Sequence, residues 1–179
     1  MDNSSKKRRG RRAYLNDFQP TAGGGYKYTG ALYTYQGAEK PLRRALTELG
    51  LCCCLAACFI IVAGCLPAAG MKNQFYLLIP YACTFVSAIS MVWAFGRLVS
   101  GKDPLREYVY LATVKKIPLR SKMTIILAGI LLIAEIIHIV IIGFENEAFS
   151  TLIFILLIIL TMTASWLANT LIHHMKWAK

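Results

Sequence analysis

The chain has 179 residues, 56% of them hydrophobic, with mean hydropathy +0.51 and a formal charge of +11. A soluble domain carries roughly 45–50% apolar residues, so an excess gathered into long runs excludes an ordinary soluble globule. The basic residues interleave with those runs, which assigns them to membrane topology before nucleic-acid binding.

Residues 1 to about 20 are polar and basic, centred on Lys6, Lys7, Arg8, Arg9, Arg11 and Arg12. Such a run is normally disordered. Beside an anionic leaflet each basic residue adds about 1 kcal/mol of attraction, so these six, with Arg43 and Arg44, are candidate contacts to the membrane surface. A nucleic-acid arm is the sharper alternative, set aside because no recognition module accompanies it. Gly23-Gly24-Gly25 makes a flexible break. Two Tyr-x-Tyr units follow, Tyr26-Lys27-Tyr28 and Tyr33-Thr34-Tyr35. Their alternation predicts two short strands or an extended interfacial segment.

A spanning helix needs about 20 apolar residues to cross roughly 30 Å of hydrocarbon. Four stretches meet that length, predicting spans at about 46–69, 74–97, 122–144 and 147–172. Pro41 suits the first turn of the first helix. Within that span, Gly50, Cys54 and Cys58 recur every four residues, as small residues do along a helix-packing seam. The six cysteines at 52, 53, 54, 58, 65 and 83 all fall in the first two spans, and no disulfide framework or metal site is expected from their spacing. Between the second and third spans, over 98–121, Asp103-Pro104 signals a helix start. Leu105, Tyr108, Val109 and Ala112 then share one face at helical spacing, predicting a short helix on the membrane. A strand through Tyr108–Leu111 pairing with the tyrosine segment is the rival, and Pro118 is expected to stop either element.

Lysine and arginine counts orient the spans. The tail before the first span holds ten, the loop after the second seven and the C-terminus two, whereas the other side has Lys72 alone. Cytoplasmic loops hold the excess of basic residues, so both termini are expected in the cytoplasm.

The costly residue is Glu135, twelve residues into a 22-residue apolar run. An ionised carboxylate there costs at least about 2.5 kcal/mol, so a tolerated one faces protein or water. His138 follows at i+3, on the same helix face. Thr161, Ser165, Asn169 and His173 recur every four residues on the fourth span, and Thr84, Ser87 and Ser90 add hydroxyls from the second. Counting inward from the span ends sets Thr161 level with Glu135. Glu135, His138, Thr161, Ser165 and Asn169 are therefore expected to line one polar seam. It serves either as interhelical hydrogen-bonding glue or as a proton or cation path ending at His173 and His174. Walker, Rossmann, Gly-x-Ser-x-Gly and His-Glu-x-x-His patterns do not occur.

The segment Tyr28-Thr29-Gly30 to Tyr33, then Arg43-Arg44, Gly64-Cys65-Leu66-Pro67, Gly70-Met71 and Ile79-Pro80-Tyr81, resembles small uncharacterised four-helix membrane proteins of Gram-positive bacteria over residues 26 to 143. That resemblance implies a bacterial cytoplasmic membrane and no particular activity. The expected fold is an all-α integral membrane protein: a four-helix transmembrane bundle over 41–179, preceded by a largely disordered cytoplasmic tail, 1–40, with its Tyr-rich segment. The expected role is a non-enzymatic accessory or assembly subunit without cofactor, in contact with the bilayer and with other membrane proteins or copies of itself. A small proton- or cation-coupled transporter using Glu135 and His138 is the alternative.

Overall fold

The structure, a computed structural model, describes residues 17–20, 24–37, 41–68, 74–101, 104–143 and 148–179. The basic residues Lys6 to Arg12 lie outside the described residues. Among the described residues five helices follow one another: α1 (Leu42–Gly64), α2 (Phe75–Val99), the short α3 (Glu107–Ala112), α4 (Ile117–Ile142) and α5 (Ala148–His174). α1, α2, α5 and the segment Glu107–Ile142, which holds α3 and α4, are each long and apolar enough to cross a membrane, making this a multi-pass membrane protein with an all-α, four-helix transmembrane fold. α1 packs on α2 and α5, and α4 packs on the same two helices. The four thus close a ring, each antiparallel to both neighbours.

Helix ends differ from the hydropathy boundaries for local reasons. α1 begins at Leu42, with Pro41 as its N-cap instead of inside its first turn, and ends at Gly64. Pro67 follows, and the residue before a proline is pushed out of the helical region. α4 begins at Ile117, five residues before the predicted span, with Pro118 in its first turn. Pro118 opens a helix here instead of stopping one, because first-turn N–H groups have no intrahelical acceptor to lose. Arg120 and Lys122 are helical although they precede the apolar run.

Lipid gives helices no hydrophobic reason to associate, so close packing and hydrogen bonds hold them. One buried cluster joins Leu49, Cys53, Met91, Leu98, Ile117 and Ala168; the other joins Ile60, Leu77, Leu131, Phe154 and Ile158. The small-residue seam predicted on α1 is only partly the packing face. Gly50 is buried, and a Cβ there would overlap the Phe95 ring. Cys54 and Cys58, however, point out of the bundle, and Cys53 is the cysteine packed inside. The 3.6-residue turn carries a four-residue repeat steadily around the helix. Gly64 admits Tyr81, whose hydroxyl donates to the Ile60 carbonyl at 3.1 Å and ties α2 to α1.

At the end where α1 begins, a small β layer covers the bundle. β1 (Phe18–Pro20) pairs antiparallel with β2 (Tyr26–Tyr28), and β3 (Leu32–Tyr35) pairs with both β4 (Leu105–Arg106) and β5 (Trp177–Ala178). The two tyrosine units are strands, but they pair with other segments and not with each other. Phe18–Pro20, expected within the disordered tail, is a strand. The loop between α2 and α4 divides between the two readings: a strand pairs with the tyrosine segment at Leu105–Arg106, and Tyr108–Leu111 is helical. Tyr110 stacks on Tyr33 at 4.1 Å with rings nearly parallel, and Trp177 meets Tyr35 edge-on at 5.5 Å. Aromatic contacts of this kind add stabilisation beyond area burial. They join the N-terminal segment, the α2–α4 connection and the C-terminus into one layer.

Candidate functional site

α4 places Glu135 and His138 one turn apart, both facing the interior at 0% and 1% exposure. Tyr76, in the first turn of α2, reaches across the helix pair: its hydroxyl and His138 Nδ1 share a hydrogen bond of 2.5 Å. When the phenol donates, the imidazole carries its proton on Nε2, which is buried and has no hydrogen-bond partner among the described residues. A carboxyl, an imidazole and a phenol therefore converge near the end of the bundle opposite the β layer. Glu135 stands one helical turn from His138, and His138 is hydrogen-bonded to Tyr76. The sequence reading missed Tyr76. A tyrosine at a span end reads as an interfacial anchor, and its partner lies 62 residues away.

A second polar group lies closer to the β layer. Ser121 Oγ donates to the Ser165 carbonyl, linking α4 to α5. Ser87 Oγ and Thr124 Oγ1 are 2.8 Å apart, and the Arg120 guanidinium donates to the Ser90 carbonyl, linking α4 to α2. Ser165 Oγ and Asn169 Oδ1 are buried without a hydrogen-bond partner among the described residues.

The single seam predicted over Glu135, His138, Thr161, Ser165 and Asn169 is thus two groups at different depths. The Ser121–Ser165 contact fixes the register of α4 against α5. Carried along both helices, it sets Glu135 level with Thr151 and sets Thr161 opposite Ile125. Those α4 positions are ten residues apart, or about 15 Å at 1.5 Å per residue. Counting inward from span ends placed Thr161 too close to Glu135, because span ends do not fix the register that the Ser121–Ser165 contact sets. Thr161 turns its hydroxyl back onto its own helix, donating to the Leu157 carbonyl at 2.9 Å. Ala128, Leu131, Phe154 and Ile158, all fully buried, fill the layer between the two groups. His173 and His174 are exposed at the far end of α5, beside the β layer.

Among the described residues no three His, Cys, Asp or Glu side chains converge as metal ligands would. Arg43 and Arg44 are exposed on the first turn of α1, where Arg44 Nε approaches Glu48 Oε1 at 3.5 Å. Cations at a helix N-terminus oppose the macrodipole, and of the two only Arg44 offsets this, through its i,i+4 pair with Glu48. In the β layer, burial pushes the Tyr28 phenol above its ordinary value, although the Glu107 N–H donates to it at 3.1 Å. The carboxylates of Asp17 and Glu107 act in the same direction as burial, and Arg106 opposes them.

Compared with family models, with curated proteins and with solved structures, the chain finds no significant match, so the site stands on its own geometry.

Proposed function

We propose that this chain is a non-enzymatic accessory or assembly subunit of a bacterial cytoplasmic membrane, with both termini in the cytoplasm. The observation that carries this reading is the packed layer of Ala128, Leu131, Phe154 and Ile158 between the two polar groups. A conduit needs its polar residues in a continuous file. Here most of the polar side chains close on a neighbouring helix or on their own, and the space between the groups is filled. Polar side chains used in this way are interhelical fasteners. Cys54 and Cys58, small and facing out of the bundle, support contact with another transmembrane helix, from a partner protein or a second copy. The orientation rests on the count of basic residues, 19 on one side and one on the other. Under it, the β layer and the exposed arginines of α1 meet the inner leaflet.

The convergence of Glu135, His138 and Tyr76 favours one other reading, a proton-coupled carrier. Flux measurement separates the two. The purified chain in liposomes should pass protons or cations no faster than empty liposomes do. A flux that Glu135→Gln abolishes would replace the subunit reading with the transporter. Reporters fused to either terminus should be active only in the cytoplasm, and a periplasmic reporter active at the C-terminus would overturn the orientation.

A further inference from the structure

We propose that a groove between α2 and the Leu105–Val109 elbow binds one anionic phospholipid, its phosphate between Arg97 and Arg106 and one acyl chain along α2. The groove has a volume of about 860 Å³ and opens on the outer face of the bundle, beside the β layer. Its walls divide by chemistry along the helix. Ile89, Trp93 and Gly96 lie along the half inside the apolar run, and Arg97 closes the last turn of α2. Eight residues separate Ile89 from Arg97, about 12 Å at 1.5 Å per residue, a length that fits the upper half of an acyl chain under a headgroup. Val109 of α3 forms the opposite wall, and Arg106 of β4 stands at the mouth.

Four features point to an amphiphile with a phosphate. Neither Arg97 nor Arg106 forms an ion pair with a carboxylate among the described residues, so both guanidiniums keep donors for an anion. Guanidinium is the side chain best matched to phosphate oxygens. Arg106 is also held in place, its guanidinium 5.6 Å from the Phe18 ring centroid and 5.5 Å from that of Tyr28. These cation–π contacts fix its position while leaving its N–H edge available. Gly96 is the third. It stands inside α2, where glycine is less favourable than alanine by about 1 kcal/mol, yet a Cβ there would meet no protein atom within 4 Å. Gly50 and Gly64 make room for a ring of this chain; at Gly96 no side chain among the described residues takes up the space. Trp93, 69% exposed on the same stretch, offers the amphipathic ring that sits at headgroup level.

The test is native mass spectrometry of the full chain, purified in mild detergent with equal amounts of phosphatidylglycerol and phosphatidylcholine, alone and with inorganic phosphate added. One phosphatidylglycerol should be retained per chain with roughly thirtyfold preference, the scale that two basic residues supply near an anionic group. Arg97→Gln with Arg106→Gln should remove the preference. Gly96→Leu, which fills the groove and keeps every charge, should abolish retention; it touches no side chain, so it tests the site even where the double arginine variant fails to fold. Lys115→Gln with Lys116→Gln, exposed and outside the groove, should change nothing. Equal retention of both lipids, or retention unaffected by Gly96→Leu, would overturn the site. Displacement of the lipid by millimolar inorganic phosphate would show a bare phosphate site and overturn the lipid assignment.

Discussion

Phe154→Ala should lower the stability of the bundle by about 3 kcal/mol, at the lower end of the range for deleting a buried phenyl ring. Much of the larger cost seen in soluble proteins is transfer of the ring from water, which lipid does not impose; what remains is the cavity and its lost contacts. Phe154 is the largest of the fully buried side chains, and it fills the layer between the two polar groups. Unfolding by a denaturing detergent in mixed micelles measures the loss. Phe149→Ala, on the outer face of the same helix, is the control and should cost less than about 0.5 kcal/mol. The variant also probes function. A hole in this layer brings the Glu135 group and the Ser121–Ser165 group towards one continuous polar file. Liposomes carrying Phe154→Ala should therefore leak protons faster than those carrying the native chain. An unchanged leak with the expected destabilisation would mean that the neighbouring side chains collapse into the space.

Tyr76→Phe should cost about 1–3 kcal/mol, the penalty for leaving a buried polar atom without its partner. The ring stays, and only the hydroxyl bonded to His138 Nδ1 is removed. Because His138 Nε2 already lacks a hydrogen-bond partner among the described residues, the substitution leaves the imidazole with neither nitrogen satisfied. The double variant Tyr76→Phe with His138→Leu should cost less than the two single changes added together, since it leaves no orphaned group. Interhelical hydrogen bonds in membranes couple by about 0.6 kcal/mol on average and up to about 1.7. A coupling near the upper value is expected for a bond this short onto a buried imidazole, although Tyr76 itself is half-exposed. A value at or below the average would make Tyr76–His138 an ordinary fastener with no special claim on the site.

The fate of Glu135 and Thr161 shows where sequence reasoning reaches its limit. That Glu135 and His138 share one face of a helix follows from the turn of that helix alone, and both are buried. That Thr161 stands level with them required the register between two helices. Register depends on the length and path of the α4–α5 turn and on which ridges meet, and hydropathy holds no information about either. The same limit explains the cysteines. Small residues at every fourth position mark a stripe, but which part of the stripe faces the bundle is settled by the neighbouring helix. Tyr76 was hidden for a related reason, since its meaning lies in a residue on another helix.

The β layer divides in the same way. Alternating tyrosines marked Tyr26–Tyr28 and Tyr33–Tyr35 as extended, because period two is a property of the strand itself. Their partners come from residues 18–20, 105–106 and 177–178, and nothing local in those short segments marks them as strands. Pairing supplied what propensity did not. Pro118 behaves likewise: a proline marks a helix boundary, and only the chain on either side decides whether it is an end or a beginning.

The four spans were legible from residue types alone, because a bilayer of fixed thickness demands a long uninterrupted apolar run and few other structures supply one. Folding in three dimensions decided how those spans meet: the closed ring of four helices, the two separate polar groups with Phe154 between them, the Tyr76–His138 bond and the arginine-lipped groove beside α2. Each of these joins residues far apart in the chain. Apolar length is written residue by residue, whereas a contact between distant residues exists only once the helices have packed.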